Sequence, residues 1–277
     1  MKIVLTGASS GIGRHLVSTL ATEHKIWGIA RNESELQVVK NEVGTTFCWT
    51  SGDVSSWSTL QSIAESVSDA WSDCDALICC AGIVTPIGEA MKQNPELWVR
   101  SLRTNLDGTF FTIRAFYDLL VQSEKRAKVI CFSGGGATGP RQNFSAYSAA
   151  KAGVVRLTET LSVEWLDENI DINAVAPGAI STGMTNAVIE AGLEKAGERE
   201  FTDAQRQQEK FGDIKSLTRV SELVSYLLSS ASDGISGKLI SAVWDPWCSF
   251  GDHKTAMMNS DIFTLRRIVP LDRGLDW

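Results

Sequence analysis

The chain has 277 residues, with 26 Lys and Arg against 33 Asp and Glu and a formal charge of −7. Hydrophobic residues at 43% and charged residues at 21% are globular proportions, which excludes wholesale disorder. The acidic balance argues against non-specific nucleic-acid binding, which needs clustered Lys and Arg.

The longest apolar run, Ala76 to Val84, is too short to span a bilayer. Met1–Thr6 passes directly into a Gly-rich turn, so neither membrane insertion nor a secretory leader is expected. The cysteines at 48, 74, 79, 80, 131 and 248 lack metal-ligand spacing. They read as reduced, buried thiols of a cytoplasmic protein with no metal site.

In chain order, apolar runs predict strands at 2–6, 26–30, 46–50, 75–81, 128–133, 171–176 and 238–243. Helical spacing between them predicts helices at 12–23, 33–41, 56–70, 95–122, 145–168 and 218–230. Regular β–α alternation with continuous apolar strands predicts one α/β domain, a doubly wound parallel sheet of about seven strands with helices on both faces.

The first strand ends in Thr6-Gly7-Ala8-Ser9-Ser10-Gly11-Ile12-Gly13, and a helix follows. Gly7 permits a tight turn, Gly11 lets the backbone approach a pyrophosphate, and Gly13 allows close helix–strand packing. The free N–H groups and positive end of the helix then face phosphates. The spacing TGxxxGxG is wider than the GxGxxG form.

With this loop stand Tyr147-Ser148-Ala149-Ala150-Lys151, a YxxxK motif, Asn105 in the fourth helical region, and Pro177-Gly178 followed by Thr182 and Met184. In these motifs the chain resembles the short-chain dehydrogenase/reductase family over about residues 1–243. The resemblance implies a Rossmann-type fold and an NAD(P)(H)-dependent oxidoreductase that interconverts a hydroxyl and a carbonyl by hydride transfer. It further implies cofactor contacts from Gly7, Ser9, Ser10, Gly11, Ile12, Gly13, Asp53, Val54, Ala81, Gly82, Tyr147, Lys151, Pro177, Gly178 and Thr182. Homodimers or homotetramers are expected by the same resemblance.

The predicted second strand ends at Ala30-Arg31-Asn32. An acid at that tip would accept hydrogen bonds from an adenosine ribose and repel a 2′-phosphate. Arg31 instead offers a guanidinium suited to phosphate, which favours NADP over NAD, unless it pairs with Glu33 or Glu35 at the surface. The alternative for Asp53 is an N-cap of the helix at 56–70.

Tyr147 and Lys151 lie four residues apart on a helical stretch and share one face. A nearby ammonium, with the positive charge of an oxidised nicotinamide, favours phenolate and makes Tyr147 a usable proton carrier. The resemblance assigns Lys151 to the nicotinamide ribose hydroxyls and Asn105 to a proton-relay water.

One member of the set is missing. The family places a catalytic Ser thirteen residues before the Tyr, and this sequence has Gly134 there. Ser133, re-aimed by the three glycines that follow it, is the favoured donor to the substrate oxygen. Exposed backbone N–H groups, Thr138, or no donor at all are the alternatives.

Residues 183–212 fall where the family carries a substrate lid, with Met184, Val188, Ile189 and Leu193 as its apolar face. Residues 244–277 form a C-terminal extension whose apolar residues need burial on the domain or on a partner subunit. Within it, Arg266, Arg267 and Arg273 either meet an anionic substrate such as a nucleotide sugar or pair with Asp261, Asp272 and Asp276. Two other functions therefore stand beside the main one. The first is a nucleotide-sugar oxidoreductase of polysaccharide assembly. The second is a non-catalytic cofactor-sensing or scaffold protein.

Overall fold

The computed structural model describes residues 1–209 and 214–277. Strands β1 (Lys2–Thr6), β2 (Lys25–Ala30), β3 (Phe47–Ser51), β4 (Ala76–Cys79), β5 (Ala127–Phe132), β6 (Ile170–Ala176) and β7 (Leu239–Ser241) pair in the order β3-β2-β1-β4-β5-β6-β7. Every pairing is parallel. β5, Ala-Lys-Val-Ile-Cys-Phe, is buried along its whole length, as a strand covered on both faces must be. Its one charge, Lys128, is matched by Asp171 at 2.8 Å and Asp233 at 2.7 Å, which makes a buried ammonium tolerable.

The helices are α1 (Gly11–Leu20), α2 (Glu33–Val43), α3 (Trp57–Ala70), α4 (Pro95–Leu102), α5 (Gly108–Val121), α6 (Ser145–Glu164), α7 (Gly183–Ala196), α8 (Glu198–Glu209), α9 (Ile214–Leu228) and α10 (Phe250–Met258). Leu16 and Val17 of α1, Leu36 of α2 and Leu223 of α9 cover one face of the sheet. Leu60 of α3, Phe116 of α5 and Val154 of α6 cover the other. The chain thus folds as the doubly wound Rossmann-type sheet expected from its alternation. Among the described residues no helix is long and apolar enough to cross a membrane.

The predicted helix at 95–122 is interrupted. A π turn, Arg103–Asp107, separates α4 from α5 and carries Asn105 at its centre. Asn105 Nδ2 donates to the carbonyls of Ile83 at 2.8 Å and Ser101 at 2.9 Å, while Oδ1 accepts from the Ile83 amide at 3.1 Å. The widened turn therefore ties the helix pair to the segment leaving β4. Such bulges are frequent at functional sites, and apolar periodicity carries no trace of them.

The predicted lid at 183–212 is α7 followed by α8, and its residues 210–212 lie outside the described residues. Thr182 caps α7 through the Met184 amide at 3.3 Å. Gly192, at φ +77°, kinks α7 in a backbone region that side chains disfavour.

The extension after β7 packs on its own chain. Trp247, Phe250 and Met257 are buried in the same core as α1 and α9, and Phe263 lies 5.1 Å from Phe250. Two backbone amides of β7 are taken by this segment. Leu239 donates to the Phe263 carbonyl at 2.8 Å, and Ser241 to the Asp245 carboxylate at 2.6 Å. The amide of Leu265 donates to Glu159 of α6 at 2.6 Å. Trp244 and Trp277 remain exposed.

Candidate active site

Parallel doubly wound sheets bind ligands beyond the carboxyl ends of their strands, where the strand order reverses. Here the reversal lies between β1 and β4, and two cavities open beside it.

The first, of about 880 Å³, is lined by Gly7, Ser9, Ser10, Arg31, Asp53, Val54, Ala81, Gly82 and neighbours. Its floor has no room for side chains: a Cβ on Gly7 would sit 2.9 Å from the Ala81 amide nitrogen. Gly13 underpins it, since a Cβ there would come within 2.1 Å of the Gly7 carbonyl oxygen. Thr6 Oγ1 accepts from the amides of Cys80 at 3.2 Å and Ala81 at 3.3 Å, fixing β4's exit beside the loop. Ser10 precedes α1 without using its side chain as a cap, so the start of the helix is open to an anion. A nicotinamide dinucleotide fits this cradle. Gly7, Ser9 and Ser10 would hold its phosphates, and Ala81 and Gly82 line the wall where greater bulk would obstruct a ribose.

Arg31 stands exposed on the wall of this cavity. It does not pair with its neighbouring acids. Glu35 is bound by Arg14 at 3.2 Å, and among the described residues Arg31 forms no ion pair. Asp53 accepts from the Ser55 amide at 2.9 Å and hydroxyl at 2.8 Å. Burial raises its pKa, but those bonds and the charges of Arg31 and Arg100 outweigh burial and hold it below the ordinary range. The N-cap of α3 is Ser56, not Asp53.

The second cavity, of about 850 Å³, is lined by Ile12, Tyr147, Pro177, Gly178 and Thr182 of the expected set, and by lid and tail residues. Gly82 of the first cavity borders Met184 of the second: its Cβ would lie 3.5 Å from Met184 Cε, 2.7 Å from Asn105 Oδ1 and 3.5 Å from Lys151 Nζ. α6 brings Tyr147 and Lys151 onto one face, with Lys151 Nζ 5.8 Å from the Tyr147 ring centroid and donating to the Phe132 carbonyl at 2.8 Å. Burial pushes the Cys80 thiol up to about 12, as befits a packing residue rather than a nucleophile.

The Ser133 hydroxyl faces the helix, 3.5 Å from the Lys151 carbonyl, and the residue is not part of the cavity wall. Gly134, Gly135, Gly136 and Thr138 do line the wall. A Cβ on Gly134 would meet the Tyr147 hydroxyl at 2.4 Å, so the phenol fills the space a serine would need. Among the described residues no acceptor takes the amides of Gly134, Gly135 or Gly136.

Burial raises the pKa of Tyr147, and the cation that opposes it is Arg141, not Lys151. Arg141 stacks 4.0 Å from the Phe144 ring centroid, and its Nε and Nη2 donate to Glu200 of α8 at 3.0 and 2.6 Å. Neither residue belongs to a motif visible in the sequence. The only signal was a lone Arg in the Gly- and Pro-rich stretch between β5 and α6.

Burial also lowers the Lys151 pKa from 10.5 to about 8. Its folded value lies below its unfolded value, so between those limits the unfolded chain binds the extra proton and stability rises with pH. Denaturation midpoints of the cofactor-free protein at the two ends of that window should show the rise. Lys151→Met should lose it, and an equal rise in both proteins would reject the assignment.

None of the three tail arginines lines either cavity. Arg266 pairs with Asp261 at 2.6 Å and Asp272 at 2.7 Å, which removes the motive for a nucleotide-sugar substrate. What the tail does bring to the second cavity is Trp244, Asp245, Phe263 and Thr264.

A nucleotide crevice at the switch point and a Tyr–Lys pair beside it define a nicotinamide-dependent oxidoreductase. The short chain dehydrogenase family profile matches residues 1–192. The chain belongs to the short-chain dehydrogenase/reductase family, NAD(P)-dependent enzymes that interconvert hydroxyl and carbonyl groups. It is 30% identical over 186 residues to the 3-oxoacyl-[acyl-carrier-protein] reductase FabG of Escherichia coli K12, covering 67% of this chain and 75% of that protein. It is 26% identical over 196 residues to a benzil reductase ((S)-benzoin forming) of Saccharomyces cerevisiae, covering 68% of this chain and 74% of that protein. Among solved structures, a short chain dehydrogenase/reductase from Saccharomyces cerevisiae superposes with a TM-score of 0.78 at 22% identity, covering 89% of this chain and 97% of that one. A Shigella flexneri short chain dehydrogenase complexed with NADP gives 0.74 at 24% identity, covering 87% and 96%.

Proposed function

We propose that this enzyme uses NADP(H) to reduce a carbonyl compound, with Tyr147 delivering the proton. The observation that carries the cofactor choice is Arg31, an unpaired guanidinium on the wall of the nucleotide cavity at a strand tip without an acid. A 2′-phosphate supplies the dianion such a group binds best. That two of the similar proteins are named reductases supports the direction.

When bound, the nicotinamide supplies the hydride. Tyr147 gives its phenolic proton to the substrate oxygen, and Lys151, charged at neutral pH, would hold the ribose hydroxyls of the bound nicotinamide. Asn105 spends its side chain on Ile83 and Ser101, so its part is to pin the floor of the site beside Gly82. Ser133, turned to the backbone of α6, holds that helix against β5. The lid residues Met184 and Val188 and the tail residues Trp244 and Phe263 give the substrate an apolar wall.

Steady-state kinetics with each cofactor and a panel of ketones test this reading. NADPH should be preferred, and Arg31→Ala should raise its KM by about tenfold to a hundredfold, the loss expected for hydrogen bonds to a charged group. NADH use should be unchanged by that substitution. Equal use of the two cofactors by the native enzyme would refute the NADP assignment.

A further inference from the structure

Gly134 leaves the site without the side-chain donor its family places there, yet charge develops on the substrate oxygen all the same. A replacement must lie beside the Tyr147 hydroxyl, face the cavity and have a free donor. Thr138 lines the cavity but has no tie to the phenol. Ser148 keeps a buried hydroxyl without a partner, but it sits 2.2 Å from the Cβ position of Gly136 and lies outside the cavity wall.

Arg141 faces the cavity, has a free donor and stands by the Tyr147 ring. Its guanidinium carbon lies 5.8 Å from the ring centroid, and it lines the cavity with Gly134, Gly135 and Gly136. Nε and Nη2 are held by Glu200. Nη1 has no acceptor among the described residues and lies 3.9 Å from the Cβ position of Gly135. A planar guanidinium is thus oriented on one edge by the lid and left open on another, over glycines whose amides are also unclaimed.

We propose that Arg141 is a catalytic residue of this enzyme: its Nη1, with the amides of the glycine turn, receives the substrate's carbonyl oxygen in place of the missing serine hydroxyl. Preorganised donors aimed at a developing oxyanion are among the largest single contributions to catalysis. Because Glu200 sits on α8, the guanidinium is fixed in position by the same segment that walls the substrate cavity.

This rests on carbonyl reduction as the reaction, so two readouts are needed. In kinetics, Arg141→Met should lower kcat on the order of a hundredfold or more, and Arg141→Lys should recover part of it. Independently of turnover, Tyr147 can be titrated in the free protein by isotope-labelled tyrosine NMR, since the chain has only 3 tyrosines. The charged or titratable groups around that phenol are Lys151, Cys80, Arg199, Glu200, Asp203 and Asp245. All are kept in Arg141→Met, in which Tyr147 should titrate at higher pH. Glu200→Gln, which strips the guanidinium of its countercharge, should move it lower. A kcat within about threefold of native, or an unmoved Tyr147 titration in Arg141→Met, overturns the proposal. If the native protein turns over no carbonyl at all, carbonyl reduction itself fails, and the titration alone decides whether Arg141 acts at the phenol.

Discussion

Replacing Tyr147 by Phe should lower kcat on the order of a thousandfold while cofactor affinity stays at its native level. The ring is almost fully buried, and its hydroxyl makes no hydrogen bond among the described residues, so Phe removes one oxygen and leaves the packing intact. No second phenol can take over. Tyr117 bonds to Glu168, and Tyr226 lies against Trp247 in the opposite core. An unchanged melting temperature would show that the lost turnover is chemical rather than structural. Native turnover in Tyr147→Phe would remove Tyr147 as proton carrier.

Gly13→Ala should be the most damaging single methyl added at any glycine among the described residues. Its Cβ would lie 2.1 Å from the Gly7 carbonyl oxygen and 2.7 Å from the Gly7 carbonyl carbon, both backbone atoms. Relief requires α1 to back away from β1 or the loop to lift, and either movement spoils the phosphate cradle. Overpacking of this kind costs about 3 kcal/mol or more. Urea denaturation should therefore show the loss, and titration with NADPH should show no binding at native concentrations. Gly183→Ala is the control, because a Cβ at the start of α7 meets nothing within 4 Å. Equal behaviour of the two variants would contradict the packing described for the loop.

The fold is legible because short, mainly apolar runs alternate with helical spacing and the turns into α1 and α6 carry motifs. The nucleotide cavity was legible for a related reason: glycines, Arg31 and Asp53 all sit at strand tips, where position along the chain fixes position in space. The substrate side was not. Asn105 was named, but the π turn that presents it adds no change in residue type. The hydroxyl of Ser133 is visible in a sequence, whereas its direction toward the Lys151 carbonyl depends on how β5 meets α6. Arg141 and Glu200 are 59 positions apart and meet only because the lid folds back across the loop.

The engagement of Leu239 and Ser241 by the tail has a consequence beyond the pocket. An edge strand with free amides is a template on which another chain can grow. With these two donors occupied by Phe263 and Asp245, no further strand can be added at the β7 side of the sheet. Copies of this enzyme that associate would therefore do so by some means other than strand addition at β7. Cutting the chain after β7 should turn a protected border into an adhesive one.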